Sequence, residues 1–280
     1  MLGMKRFLIV VVALFAGALP AAVFGATTKS AKGKTTTTST TTKSTTTTTT
    51  STATTTATST VIGGTALLGA TKTPVAPPVC PKGVQPSACQ IVLTRATGLE
   101  TIRDSVVYPT TVKAAGDLVA FTVGVAKLAT TAAATHADIA YLDSHFGGVT
   151  EAGITILKGG KGTAGSRIWT VVSEGPLEHL QPYLGYTVEF PLTTPLPVTP
   201  GETVALTVPT WAPVLSYDLS QKKFAYRQSR KSNCKHPGNF ENAQLTVGQN
   251  TMYKCDYPGT RVEYNATEIL NAPPPTNYVH

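Results

Sequence analysis

Between Ile91 and Tyr264 the apolar and β-branched residues come in short runs, each cut off by glycine, proline or another turn former. A strand needs only about 5–6 residues, whereas a packed helix needs about 10–12, so this spacing selects a layered β-fold. The clearest runs are Ile91–Leu93, Asp117–Val125, Ile154–Lys158 (ending in Gly159-Gly160), Arg167–Val172, Thr187–Pro191 and Thr203–Val208. Phe224–Arg227, Gln244–Val247 and Arg261–Tyr264 are further strand candidates. Helical spacing occurs over Ala137–Phe146, where Ile139, Leu142 and Phe146 share a face and Gly147-Gly148 supplies the stop. The expectation is an all-β domain over residues 75–272, a jelly-roll-like β-sandwich with one short helix.

What precedes that domain cannot build a core. From Thr27 to Thr60 the chain is almost entirely Thr, Ser, Ala and Lys, without an aromatic residue. Such a segment has too little apolar surface to offset the entropy of ordering, so residues 26–74 read as a disordered Thr/Ser-rich stalk suited to O-glycosylation. Val61 to Ala70 interrupts it with a short apolar stretch that suits a strand, a docked segment or an idle one. Ahead of the stalk, Lys5-Arg6, the apolar run from Phe7 to Phe15 and the small-residue exit at Val23-Phe24-Gly25 have the order of a signal peptide, cleaved after Gly25. An uncleaved membrane anchor is the alternative. The last residues, 273–280, read as a disordered tail.

The four cysteines agree with an exported chain. An even count with neither spacing C-x-x-C favours disulfides over metal ligation or redox work. Of the three possible pairings, the sequential one is expected: Cys80–Cys89 and Cys234–Cys255, each clipping a loop.

The formal charge of +8 points toward nucleic acid only until it is divided along the chain. Seven of the 23 basic residues and none of the 15 acidic ones lie within residues 1–74, leaving 16 against 15 beyond. The folded region is close to neutral, so nucleic acid is not an expected partner.

Three stretches carry a resemblance. Gly116-Asp117-Leu118-Val119-Ala120-Phe121-Thr122-Val123, then Ile156-Leu157-Lys158, then Leu196-Pro197-Val198-Thr199-Pro200-Gly201-Glu202-Thr203-Val204-Ala205-Leu206 resemble uncharacterised secreted bacterial β-sandwich domains. In those domains a second-half hairpin carries the same proline–valine–x–x–glycine–acidic turn before an apolar strand. The likeness spans about Leu99 to Val214 and implies the sandwich. That group has no established activity, so it assigns no residue a role.

Candidate sites come from the residues themselves. His136, Asp138, Asp143 and His145 form H-x-D and D-x-H pairs that, seven apart on a helix, could hold a divalent ion. The alternative is the wet face of an amphipathic helix. Lys222, Lys223, Arg227, Arg230, Lys231 and Lys235 are a basic run with no acid between Asp218 and Glu241 and with Phe224 and Tyr226 interleaved. Arg227, Arg230 and Lys231 are its candidate anion-binding residues, and a lysine-protected edge strand is the alternative. Trp211, in Pro209-Thr210-Trp211-Ala212-Pro213, is a candidate sugar-stacking ring with Tyr183, Tyr186 and Tyr217 near it in sequence, or else a core plug; Trp169 is expected in the core. Asn265-Ala266-Thr267 is a formal glycosylation sequon.

No nucleophile elbow, zincin, P-loop or dinucleotide motif is present. Glu174, Glu178 and Glu189, with His179, are carboxylates available to a glycoside hydrolase, which can draw its pair from distant strands. The expected function is a secreted or cell-envelope module, non-enzymatic, structural or binding cell-wall or extracellular polysaccharide, with no cofactor. A polysaccharide hydrolase and a protein adhesion module are the alternatives.

Overall fold

The computed structural model describes residues 64–84, 89–232, 234 and 241–271. The expected signal peptide, the stalk up to residue 63 and the expected tail lie outside them. Two sheets dominate. The larger runs in spatial order β12 (Asn250–Met252), β6 (Ile168–Glu174), β5 (Glu151–Gly159), β9 (Glu202–Ala212), β2 (Leu93–Arg103), β11 (Phe224–Gln228) and β13 (Cys255–Pro258). Short strands β3 (Val106–Val107) and β7 (Glu178–His179) join it on β2 and β5. The smaller runs β1 (Thr65–Leu68), β15 (Tyr264–Leu270), β4 (Gly116–Gly124) and β8 (Thr187–Val198), and β10 (Leu215–Ser216) pairs with β14 (Arg261–Val262). Every pairing between these strands is antiparallel.

The main core takes Leu118, Phe121, Val123 and Phe190 from the smaller sheet and Leu93, Ile154, Ile156, Leu206 and Val208 from the larger. Phe121 and Phe190, partners across β4 and β8, bring their ring centroids to 5.2 Å. The opposite face of the larger sheet is covered too, by Leu99, Leu157, Trp169, Val171, Ala205 and Tyr253. Strand β5 is therefore buried on both faces from Ala152 to Leu157, which accounts for its unbroken apolar run. Burying each such side chain contributes about 1.5–3 kcal/mol.

Several expectations change. The folded part starts before the prolines at 74–78: Thr65–Leu68 pairs with β15, Thr65 opposite Ile269 and Leu68 opposite Ala266. Residues 244–247 form no strand; Gln244 is instead a buried plug whose amide donates to the Trp169 and Gln249 carbonyls at 3.3 and 3.2 Å. The turn at Pro197–Glu202 closes no hairpin, because β8 and β9 belong to different sheets and the chain crosses between them there. Its Glu202 Oε2 accepts the Thr199 amide at 2.8 Å, fixing the crossover.

The helix α1 (Ala132–Phe146) is longer than its apolar spacing implied, because Thr131 caps it, its hydroxyl accepting the Ala134 amide. Gly147 ends it in the left-handed region, at φ 90°, where a side chain would be strained. None of its residues is buried.

The proline-rich segment after β1 is strapped to the domain by buried ions. Arg103, in a buried ion pair with Glu100, donates to the Gly69 and Tyr264 carbonyls at 2.6 Å each. Arg261 donates to the Pro74 carbonyl and pairs with Glu263, both at 3.1 Å, and Glu263 accepts the Ala76 amide at 3.3 Å. Thr71 and Thr73 clamp Asp104 with three contacts of 2.7–2.8 Å. Gly124 lets the strap lie flush: a Cβ there would sit 2.1 Å from the Ala76 carbonyl oxygen.

Candidate functional site

Both sequential disulfides are formed, Cys80–Cys89 and Cys234–Cys255, with Cα–Cα distances of 5.6 and 5.2 Å. Cys89 and Cys234 line one cleft of about 470 Å³, within the range of small-molecule sites. The aromatic wall comes from strand pairing. Tyr226 on β11 stands opposite Tyr257 on β13, and the rings stack with centroids 4.9 Å apart. Tyr226 is buried behind and Tyr257 lies half-buried in front.

That stack is locked by hydrogen bonds. The Tyr257 hydroxyl donates to the Cys234 carbonyl at 3.0 Å, so the second disulfide fixes the front ring. Gln228 donates from Nε2 to the Tyr226 hydroxyl at 2.7 Å, while its Oε1 accepts Arg230 Nε at 2.7 Å. Burial raises both tyrosine hydroxyls above their ordinary range, with Tyr257 adding to the effect at Tyr226. Burial also lowers the Arg230 guanidinium, which lies behind the cleft and donates to the Thr94 carbonyl at 2.7 Å.

The remaining lining supplies unused hydrogen-bonding capacity. Tyr217 lines the cleft, its hydroxyl buried and without a hydrogen-bond partner among the described residues. Gln90 is exposed and Thr260 half-buried at the rim. Val92 and Leu215 complete the lining among the described residues, which contains no ionisable group other than the tyrosines. Rigid rings beside amide and hydroxyl groups suit an uncharged, polyhydroxylated ligand, whose C–H faces stack on aromatics while its hydroxyls find partners.

The residues singled out by sequence lie elsewhere or face inward. Trp211 is fully buried (0% exposed), its Nε1 donating to Asp143 Oδ1 at 2.9 Å and to the Gly148 carbonyl at 3.1 Å. Its face is unavailable to a ligand, and it anchors α1 to β9 instead. Tyr183 packs edge-on against Phe190, and Tyr186 is exposed well apart in the chain from the cleft-lining strands.

The basic run is dispersed. Strand β11 is interior, flanked by β2 and β13, so the edge-strand alternative does not apply. Arg227 pairs with Asp256 at 2.7 Å and donates to the Tyr253 carbonyl at 3.1 Å; Arg230 is buried; Lys231 is exposed beyond the strand end, and Lys235 lies outside the described residues. No single face presents Arg227, Arg230 and Lys231 together.

On α1, His136 and Asp138 are exposed, while Asp143 serves Trp211 and His145 bonds the Tyr141 carbonyl at 2.8 Å and stacks on the Tyr141 ring. Among the described residues no three His, Cys, Asp or Glu side chains converge as a metal site requires. Glu174 and Glu178 belong to the larger sheet and Glu189 to the smaller, with His179 engaged by Glu151 at 3.4 Å. The sequon residue Asn265 lies inside β15 between two strands, its Oδ1 buried.

Sequence reasoning reached Tyr217 and Tyr226 but grouped them with the wrong neighbours, and it passed over Tyr257. The available signal was Cys255-Asp256-Tyr257: two residues apart in a strand, the cysteine and the ring share a face. No protein-family model, curated protein or solved structure matches this chain.

Proposed function

We propose that this is a secreted or cell-envelope module, a jelly-roll-like sandwich carried on a threonine-rich stalk, that binds neutral surface polysaccharide without transforming it. The observation that carries the reading is the tyrosine cleft: a locked Tyr226–Tyr257 stack and, among the described residues, a lining without carboxylate or cation. The two disulfides fit an oxidising compartment. The main core, which unites residues of both sheets, supports the sandwich. Among the described residues this cleft's own lining holds no carboxylate pair of the kind glycoside cleavage uses.

The test is mobility of the protein in native gels containing soluble neutral polysaccharides (glucans, mannans, xylans), in parallel with uronic-acid polymers. Neutral polymer should retard the protein, and about 0.5 M salt should leave that retardation intact, since screening weakens only charge-led binding. Tyr257→Ala should weaken it roughly tenfold, the scale of one lost stacking partner. Retention on uronic polymers alone, abolished by salt, would overturn the reading, as would release of reducing sugar ends.

A further inference from the structure

A second cavity, of about 400 Å³, lies against the first and shares a wall with it. The shared residue is Tyr217, which lines both. Its hydroxyl is shielded from solvent and makes no hydrogen bond among the described residues. The neighbouring residue, Asp218, is held at φ 62°, in the left-handed region, and stands exposed at the margin of the second cavity.

The second cavity's other wall is the strap. Pro74, Pro77, Val79 and Pro81 line it, facing Phe224 and Leu219, with Ser216, the exposed Asp218 and the mutually paired Arg261 and Glu263 among the rest of the described lining. This wall is preorganised, because Arg261 holds the Pro74 carbonyl, Glu263 holds the Ala76 amide, and the strap rests directly on Gly124. Rigid proline rings and an aromatic ring make a surface onto which the C–H face of a sugar can be laid at low entropic cost.

Resting on the reading of the tyrosine cleft as a sugar site, we infer that the two cavities are successive subsites of one groove. An extended chain of neutral sugar units runs from the Tyr257 platform past Tyr217 to the proline strap. Tyr217, which lines both cavities, is the residue the chain passes at the junction. The occupant is thus a linear polymer bound along its length, and a single unit or a chain end would leave one cavity unused.

The test is calorimetric titration of the full chain with cello-, manno- and xylo-oligosaccharides of two to six units, against wild type and two variants. Val79 is 77% exposed, so Val79→Trp should fold normally while filling the second cavity. Gln90→Trp does the same at the exposed rim of the first. Wild-type affinity for one series should rise roughly tenfold or more from two to six units. Val79→Trp should remove that rise and leave the two-unit affinity unchanged, whereas Gln90→Trp should abolish binding at every length. Equal affinity for two and six units, or a rise that survives Val79→Trp, would overturn the continuous groove and leave the tyrosine cleft standing. Binding of none of the series would sink both, and capture of an oligoproline peptide in their place would assign the aromatic and proline walls to a protein partner.

Discussion

Glu100 is fully buried beside Arg103, on a strand whose sequence reads as surface. Burial pushes its carboxyl up to about 7, against the pull of the Arg103 guanidinium. The folded state therefore holds that proton more tightly than the unfolded chain does. Stability from this group is greatest below the ordinary carboxylate range, near 4.5, and falls as pH rises to about 7, by an amount on the order of 3 kcal/mol. The buried Glu263 carboxyl is raised as well and adds a slope of the same sign. Urea denaturation at pH 5 and pH 8 should show the wild type more stable at pH 5 than at pH 8 by a larger margin than Glu100→Gln. An unchanged pH difference in that variant would place the titration elsewhere. Asp104 works oppositely: partial burial resists its ionisation, yet the bonds from Thr71 and Thr73 hold its carboxyl below the ordinary range, so its contribution is lost on acidification.

Among the elements, α1 is held by very few attachments. Asp143 and Trp211 tie its last turns to β9, and Arg95 donates to the Phe146 carbonyl at 3.1 Å. Arg95 reaches that carbonyl from a bulge in β2, at φ 44°, an irregularity that turns the side chain away from the ladder. With no buried residue, the helix should open locally far more often than the strands beneath it. Hydrogen exchange should find α1 amides exchanging faster than those of β5 and β9, and Asp143→Ala should accelerate α1 by roughly tenfold while leaving β5 unchanged. Acceleration spread equally over both would mean that α1 and the sheet open as one unit.

The elements differ in how legible they were. Strands β4, β5 and β9 announce themselves because both faces, or one face and a half, are apolar. Strand β2 was readable only at its start, since Arg95, Glu100 and Arg103 resemble solvent-facing charges until Arg95 meets the end of α1, Glu100 meets Arg103, and Arg103 reaches Gly69 and β15. Strand β1 was ambiguous for the same reason: its stability comes from a strand at the far end of the chain. The cleft was hidden because Tyr226 sits among basic residues in sequence, whereas strand alternation sends Tyr226 to the cleft and Arg227 to Asp256. Periodicity marks which residues share a face, but cross-strand register decides what that face meets.

For the molecule as a whole, the disulfides have unequal consequences. The bonds close stretches with separations of 9 and 21 residues, for which chain entropy gives about 3 kcal/mol each, a little more for the longer. Losing the second should cost function as well, because Cys234 provides the carbonyl that fixes Tyr257. Cys234→Ser/Cys255→Ser should lower the unfolding midpoint and weaken polysaccharide retardation, each beyond what the Cys80→Ser/Cys89→Ser pair does. The reverse ranking in native-gel mobility would show that the first clip shapes the cleft.

The antiparallel pairing of β1 with β15 has a further geometric meaning. Gly64 accepts a backbone hydrogen bond from Leu270 at 2.7 Å, so the two ends of the described region are side by side. The folded unit is in effect a closed ring with its seam on one sheet edge. Ends this close should let the unit be inserted as a guest into a surface loop of another protein without stretching its host.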